Sequence, residues 1–423
     1  MISELIKREE IIKGLELATM RTGVTGVVTV RASFFAGERF ASENSQLALV
    51  CAQMLMLGTR KHNKEELNAL LESAAISLNI NSGTSRINIL ATLPTEQINK
   101  FISIFAEILR EPTFSNLELG LLVARTRAEI IESTKDTDRQ AARAMRRAIF
   151  PEGHPNFSPS EKEMLRDLDV LTVQNLKEFH QSYYGRGNFK IAVAGDVEHE
   201  EWKRMLNKAF ASWSKVMPII KLDTRSLKSE RGINYVYIAD KTSVDAYLGM
   251  AITLDVRGRE YCALMLATHI LGGDFVSRLM SEVREKRGLT YGTNATMRDI
   301  SEGDSGLFFI WGTFAPNLFS QGFKITKEIL NKFAKRGITK NELTRAKRAI
   351  PGNFKVSLAN SAGVAGTLLY ILETARPTNY IDEYPKIIES LTLTEVNSAI
   401  KKYIDPTKSI TTVAGTITEN VSP

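Results

Sequence analysis

Residues 48–59 read ALVCAQMLMLGT, an apolar run closed by a glycine, and this predicts a buried helix that stops at Gly58. A matching run, ALMLATHILGGD, recurs at 263–274, so that Gly58 aligns with Gly273. Further on, ARTRAEI (124–130) aligns with TRAKRAI (344–350) after a small insertion, so the chain reads as an internal repeat. Both halves predict the same succession of elements. A strand pair comes first, from GVVTVRASFFAG (26–37) and from INYVYIADKTSVDAYLGMAI (233–252). After the apolar helix comes an amphipathic one, at 64–75 and at 277–288, and then two strands, within 77–93 and 289–314. A further helix follows at 99–112 and 319–337, and more helices precede a closing strand at 189–197 and 409–417. Adjacent strands with short links imply α+β architecture, a mainly antiparallel sheet of about six strands packed by helices in each of two homologous tandem domains. Their expected limits are 1–213 and 233–423, joined by the polar, basic linker 214–232.

The length of 423 residues exceeds one ordinary core and agrees with two domains. A hydrophobic content of 43% with 24% charged residues places the chain among soluble globular proteins. Its longest apolar stretches, such as Leu47 to Leu57, are too short for membrane insertion, and MISELIKREEIIKGLEL has no apolar signal region, which implies a cytoplasmic protein. Cys51 and Cys262 sit in apolar helical runs and read as buried hydrophobes rather than a disulfide. The net charge of +7 raises nucleic acid as a partner. The basic clusters at 139–147, 284–288 and 345–348 are far apart and lack interleaved aromatics, so they read as solvated helix faces and no nucleic-acid partner is expected.

GGDFVSRLMSEVREKRGLTYG (272–292) resembles the C-terminal signature of the pitrilysin-type (inverzincin) metallopeptidases, a family that includes the mitochondrial processing peptidase and the respiratory core proteins. FFAGERFASENSQLA (34–48) is similar to the segment before that family's metal helix, and LGTRKHNKEELNALLESAAISLNINSGTSR (57–86) to the segment after it. LTVQNLKEFHQSYYGRGNFKIAVAGDV (171–197) resembles the close of its first half, so the likeness spans nearly the whole chain in order. The family carries HxxEH on the first apolar helix. Positions i, i+3 and i+4 share one face, so two histidines hold zinc while the glutamate activates water, and a downstream glutamate completes the ligand set.

Aligned through MLMLGT, those three positions are Leu49, Ala52 and Gln53 here, and only the downstream glutamate is kept, as Glu129. One carboxylate does not make a zinc site. Cys51 is no substitute, because at about 100° per residue it points roughly 160–200° away from Leu49 and Gln53. His269 has no ligand partner near it in sequence and reads as a core or capping residue, and the other histidines form no HxxH or HExxH pair. No metal is therefore expected in this chain.

What the resemblance implies has been kept is Arg284 and Tyr291, which in the family hold the substrate backbone beside the zinc. A guanidinium fork grips carbonyls or a carboxylate, and a phenol donates to a carbonyl as it becomes an oxyanion. The helix bearing Arg284 is expected to end at Gly288 and Tyr291 to lie on the following strand. The plain alternative is that Arg284 pairs with Glu282 or Glu285. The long glycine-rich loop of the processing peptidase's regulatory subunit is here only GGDF, and Pro351 is expected to kink or end its helix.

The reading that results is a non-catalytic, substrate-binding subunit of a heterodimeric zinc peptidase. It supplies Arg284 and Tyr291 in trans to an HxxEH-bearing homologue that holds the zinc, with peptides or unfolded polypeptides as substrates. The alternatives are a purely structural subunit and a peptide-binding homodimer without proteolysis. A peptidase with a non-standard metal site agrees least with the ligand census.

Overall fold

The computed structural model describes residues 1–213, 227, 232–300 and 305–417. Nearly all of the expected linker, 214–226 and 228–231, lies outside the described residues. The first half contains strands β1 (Ile6–Ile12), β2 (Leu15–Arg21), β3 (Val27–Phe35), β4 (Ser77–Ser82), β5 (Arg86–Pro94) and β6 (Phe189–Gly195). Its helices are α1 (Leu47–Met54), α2 (Lys64–Ser73), α3 (Ile98–Arg110), α4 (Asn116–Ser133), α5 (Thr137–Ile149), α6 (Glu161–Asp169), α7 (Val173–Tyr183) and α8 (His199–Phe210). The second half contains strands β7 (Ile233–Tyr237), β8 (Val244–Ile252), β9 (Gly292–Arg298), β10 (Gly306–Phe314) and β11 (Ile410–Gly415). Its helices are α9 (Arg259–Gly272), α10 (Phe319–Arg336), α11 (Lys340–Ser357), α12 (Ser361–Glu373), α13 (Tyr380–Ser390) and α14 (Leu393–Tyr403).

The strands form a six-stranded sheet in the order β1-β2-β6-β3-β5-β4 and a five-stranded sheet in the order β7-β11-β8-β10-β9. Both are mainly antiparallel, with one parallel pair each, β2 with β6 and β7 with β11. Apart from β1 the two orders superpose strand for strand, which is the internal repeat written in topology. The expected opening strand pair is corrected in both halves. β8 is separated from β7 by β11, and residues 26–37 hold one strand, β3, separated from β2 by β6. β1 is an additional edge strand whose sequence, IKREEII, carries four charges among seven residues, a composition that discourages further strand pairing.

Apolar periodicity shows that a helix has a face to bury, but not on which sheet. The chain forms two compact units, one from Met1–Ala128, Lys162–Ile220 and Asn353–Tyr384, the other from Glu129–Glu161, Lys221–Gly352 and Pro385–Pro423. The strands keep to the expected limits at 213 and 233, but helices do not. α5, from the first half of the sequence, packs on β8 and β11. Met145 and Ile149 there join Tyr247, Phe309 and Ile410 in one core, and the Thr412 hydroxyl donates to the Ala141 carbonyl at 2.8 Å. α12, from the second half, packs on β2, β3 and β6. Its Val364, Leu368 and Leu372 meet Ala18, Ala192 and Ala194, and its ends are tied by Ser361 to Thr22 (3.2 Å) and by Glu373 to Ser33 (2.5 Å). Small residues on the sheet side, Ala18, Ala192 and Ala194, leave room for the large side chains of the helix.

Pro351 does not end its helix. α11 runs through it to Ser357 with the proline ring buried, and the chain breaks only before Asn360, whose side chain caps α12 at Gly363. The basic cluster at 139–147 is largely engaged. Arg143 pairs with Glu161, Arg146 with Asp299, and Arg147 lies 4.8 Å from the centre of the Phe157 ring. Among the described residues no single helix is long and apolar enough to cross a membrane.

Candidate functional site

The first apolar helix is shorter than its apolar run. After Met54 the chain turns through Leu55–Leu57 into Gly58, whose φ of +126° suits only glycine. α1 packs on α7 and β4. Ala52 is 0% exposed, so a glutamate there would have to enter filled space. Leu49 and Gln53 are half-buried, and the Gln53 Oε1 is buried without a hydrogen-bond partner. Cys51 turns into the core, its sulfur 3.9 Å from the Leu176 carbonyl oxygen, and burial pushes its thiol up to about 12. Leucine and alanine offer no ligand atom and a neutral thiol is a poor one, so these residues do not fit a zinc ion.

Glu129 is an exposed residue of α4, where it lines an open polar groove of about 660 Å³ with Glu132, Lys135, Arg139, Asp240 and Lys241. The five histidines are engaged locally. His62 meets Glu107 (2.9 Å), His154 accepts from the Asn156 amide (3.0 Å), and His269 lies 3.3 Å from Asp274. His180 bonds the Leu109 carbonyl at 2.9 Å, and burial lowers its pKa to about 4. His199 is 2.9 Å from the Thr19 hydroxyl. Among the described residues Glu9, His199 and Glu200 form the one cluster of metal-type side chains, and there the Lys203 ammonium already sits 2.8 Å from Glu9.

Arg284 and Tyr291 are brought together. The segment expected as an ordinary helix over 277–288 is a π-type turn at Met280–Glu285, a form that occurs mostly as isolated bulges. It closes as expected at Gly288. The Gly288 amide bonds the Arg284 carbonyl (2.8 Å), Leu289 bonds Val283 (3.0 Å), and the glycine φ is +62°. Tyr291 follows one residue before β9 and is 86% exposed. The guanidinium carbon of Arg284 lies 5.9 Å from the Tyr291 ring centre and 5.8 Å from that of Phe275, itself 69% exposed. The expected competitor Glu282 is engaged by Lys286 and Arg287, each at 2.6 Å. Among the described residues Arg284 makes no ion pair. Sequence reasoning passed over Phe275 and Val276, although two large apolar residues straight after Gly-Gly-Asp are a signal, because a turn displays what it carries.

The same segment is anchored by Arg278, whose fork grips Glu342 at 2.6 and 2.7 Å. Burial alone would raise the Glu342 carboxyl, but Arg278, with the amide and hydroxyl of Thr339, pulls it down from 4.5 to about 2. A carboxylate so depressed stabilises the fold above its unfolded pKa and loses that contribution as pH falls through the folded one. Stability should therefore drop between about pH 4.5 and about 2 more steeply in the wild type than in Glu342→Gln, as measured by denaturant unfolding across that range.

Residues 17–159 match the family model described as Insulinase (Peptidase family M16), and residues 171–350 match the model described as Peptidase M16 inactive domain. A relative from Helicobacter pylori, "Non-peptidase homolog YmxG", is 24% identical over 378 residues, covering 88% of this chain and 85% of that protein. An "Uncharacterized zinc protease" from Rickettsia felis is 22% identical and covers 80% of this chain and 81% of its own. The peptidase M16 inactive domain from Pseudomonas fluorescens superposes with a TM-score of 0.89 at 22% identity, covering 98% of each chain. A protease from Helicobacter pylori superposes with a TM-score of 0.81 at 18% identity over 97% of this chain and 99% of its own.

Proposed function

The chain belongs to peptidase family M16, the pitrilysin-type metallopeptidases, and from that premise we propose that it is the substrate-binding, non-catalytic subunit of a two-chain peptidase. An HxxEH-bearing homologue supplies the zinc, and this chain supplies Arg284 and Tyr291. The observation that carries the reading is the contrast between two sites of one molecule. On α1 the metal face has become Leu49, Ala52 and Gln53, one of them fully buried. Beyond α9, by contrast, Arg284 makes no ion pair among the described residues and lies 5.8 and 5.9 Å from the centres of two exposed rings. Packing alone gives no reason to hold an arginine and a tyrosine this way. The "non-peptidase" relative and the fully covered M16 inactive-domain neighbour support the loss of catalysis.

Expressed alone, the chain should carry no stoichiometric zinc and cleave no peptide. Mixed with an HxxEH-bearing homologue it should form a one-to-one complex with chelator-sensitive activity. Metal analysis and peptide hydrolysis decide the point. About one tightly bound zinc per isolated chain, with chelator-sensitive cleavage, would overturn the reading.

A further inference from the structure

We propose that Phe275, Arg284 and Tyr291 form a carboxylate-recognition subsite, so that the peptides this chain takes are anionic at the residue held there. The inference rests on the peptide-binding reading above and adds the class of peptide.

The argument begins with which cations are already neutralised. Arg278 is held by Glu342, and Lys286 and Arg287 share Glu282. Asp274 lies beside His269 and accepts the Val276 amide at 3.1 Å. Glu285 is exposed and adjacent in sequence, and neighbouring residues of a helical turn do not face one another. Arg284 is thus the cation of this segment left without a counter-ion among the described residues.

Its surroundings suit an anion. Aromatic rings flank the guanidinium at 5.8 and 5.9 Å, each ring being more than two-thirds exposed. Such rings attract the guanidinium through their faces without neutralising its charge, so the fork stays available to an anion. A guanidinium fork matches a carboxylate bidentately, whereas a neutral carbonyl leaves the charge unbalanced. An arginine of α11 reaches the same turn. Arg345 donates to the Val276 carbonyl at 3.1 Å, and with Arg348, Asn341 and Thr344 it borders an open groove of about 560 Å³. Neither Arg345 nor Arg348 makes an ion pair among the described residues. Two arginines without an ion pair among the described residues, Arg284 beside Phe275 and Arg345 on the Val276 carbonyl, favour an extended chain that carries carboxylates.

Calorimetry on the full chain tests this with three eight-residue peptides differing in two places. One has a central glutamate and an amidated end, one a central glutamine and a free C-terminal carboxylate, and one a central glutamine and an amidated end. At least one anionic peptide should bind roughly tenfold more tightly than the neutral one, and which of the two does so tells side-chain from terminal carboxylate. The preference should shrink with added salt and vanish in Arg284→Gln. Arg284→Lys, which keeps the charge but not the fork, should retain part of it and serves if the glutamine variant does not fold. Equal affinity for all three peptides in the wild type, or an unchanged preference in Arg284→Gln, would overturn this inference and leave the peptide-binding reading intact. Binding of none of them would remove both. Tighter binding of an eight-nucleotide oligothymidine than of either anionic peptide would replace the peptide by a nucleic acid.

Discussion

Tyr291→Phe should lower the turnover of the proposed two-chain peptidase about a hundred- to a thousandfold while leaving assembly and zinc content unchanged. The substitution removes one hydroxyl from a residue that is 86% exposed, so the fold should not register it. In the proposed role that hydroxyl donates to the substrate carbonyl as negative charge develops on it, and losing one such donor costs about 2.7–4 kcal/mol. The loss should appear in kcat and kcat/KM together, because the contact strengthens only in the transition state. Arg284→Ala should differ by raising KM as well, since a charged clamp also holds the ground state. Arg204, an exposed arginine of α8, provides the control and should change neither constant. Normal activity in both variants, with a normal complex, would make the chain a scaffold.

Leu368→Ala should destabilise the protein by about 2–5 kcal/mol, the range for a leucine truncated in a filled core. Leu368 is 0% exposed on α12 and packs against Ala18, Ala192 and Ala194. The informative readout is where the damage falls. If α12 belongs to the six-stranded sheet, hydrogen exchange should accelerate in β2, β3 and β6, about 170 residues or more away in sequence, before it does in β8 and β10. Loss of protection confined to the five-stranded sheet would contradict the exchange of helices.

Much of this was legible in the sequence, for physical reasons that also mark where legibility stopped. The repeat was visible because packing an apolar helix on a sheet demands the same pattern twice, and Gly58 and Gly273 close both copies. The pairing of Arg284 with Tyr291 was legible only through the family resemblance, whereas the helix stop at Gly288 between them was legible from the glycine itself. β1 was missed because an edge strand that faces water is rich in charge and carries little apolar alternation. The destinations of α5 and α12 were hidden because periodicity specifies a face and not its partner. The break at Pro351 failed because a helix tolerates a proline whose ring finds a buried place, whereas Ser357–Asn360 ends the element instead. The π-type turn at 280–285 has no pattern that separates it from an α-helix.

The traded helices also bear on synthesis. When β6 leaves the ribosome the six strands of the first sheet are complete, but the face that α12 covers is still bare. α5 has by then emerged with its apolar side exposed, awaiting strands β8 and β11. At about 5–20 residues per second, translation takes on the order of ten seconds or more to bring α12 from behind β6. Until both helices find their sheets the nascent chain carries two apolar surfaces without their final cover, so neither half reaches its final packing as an independent piece.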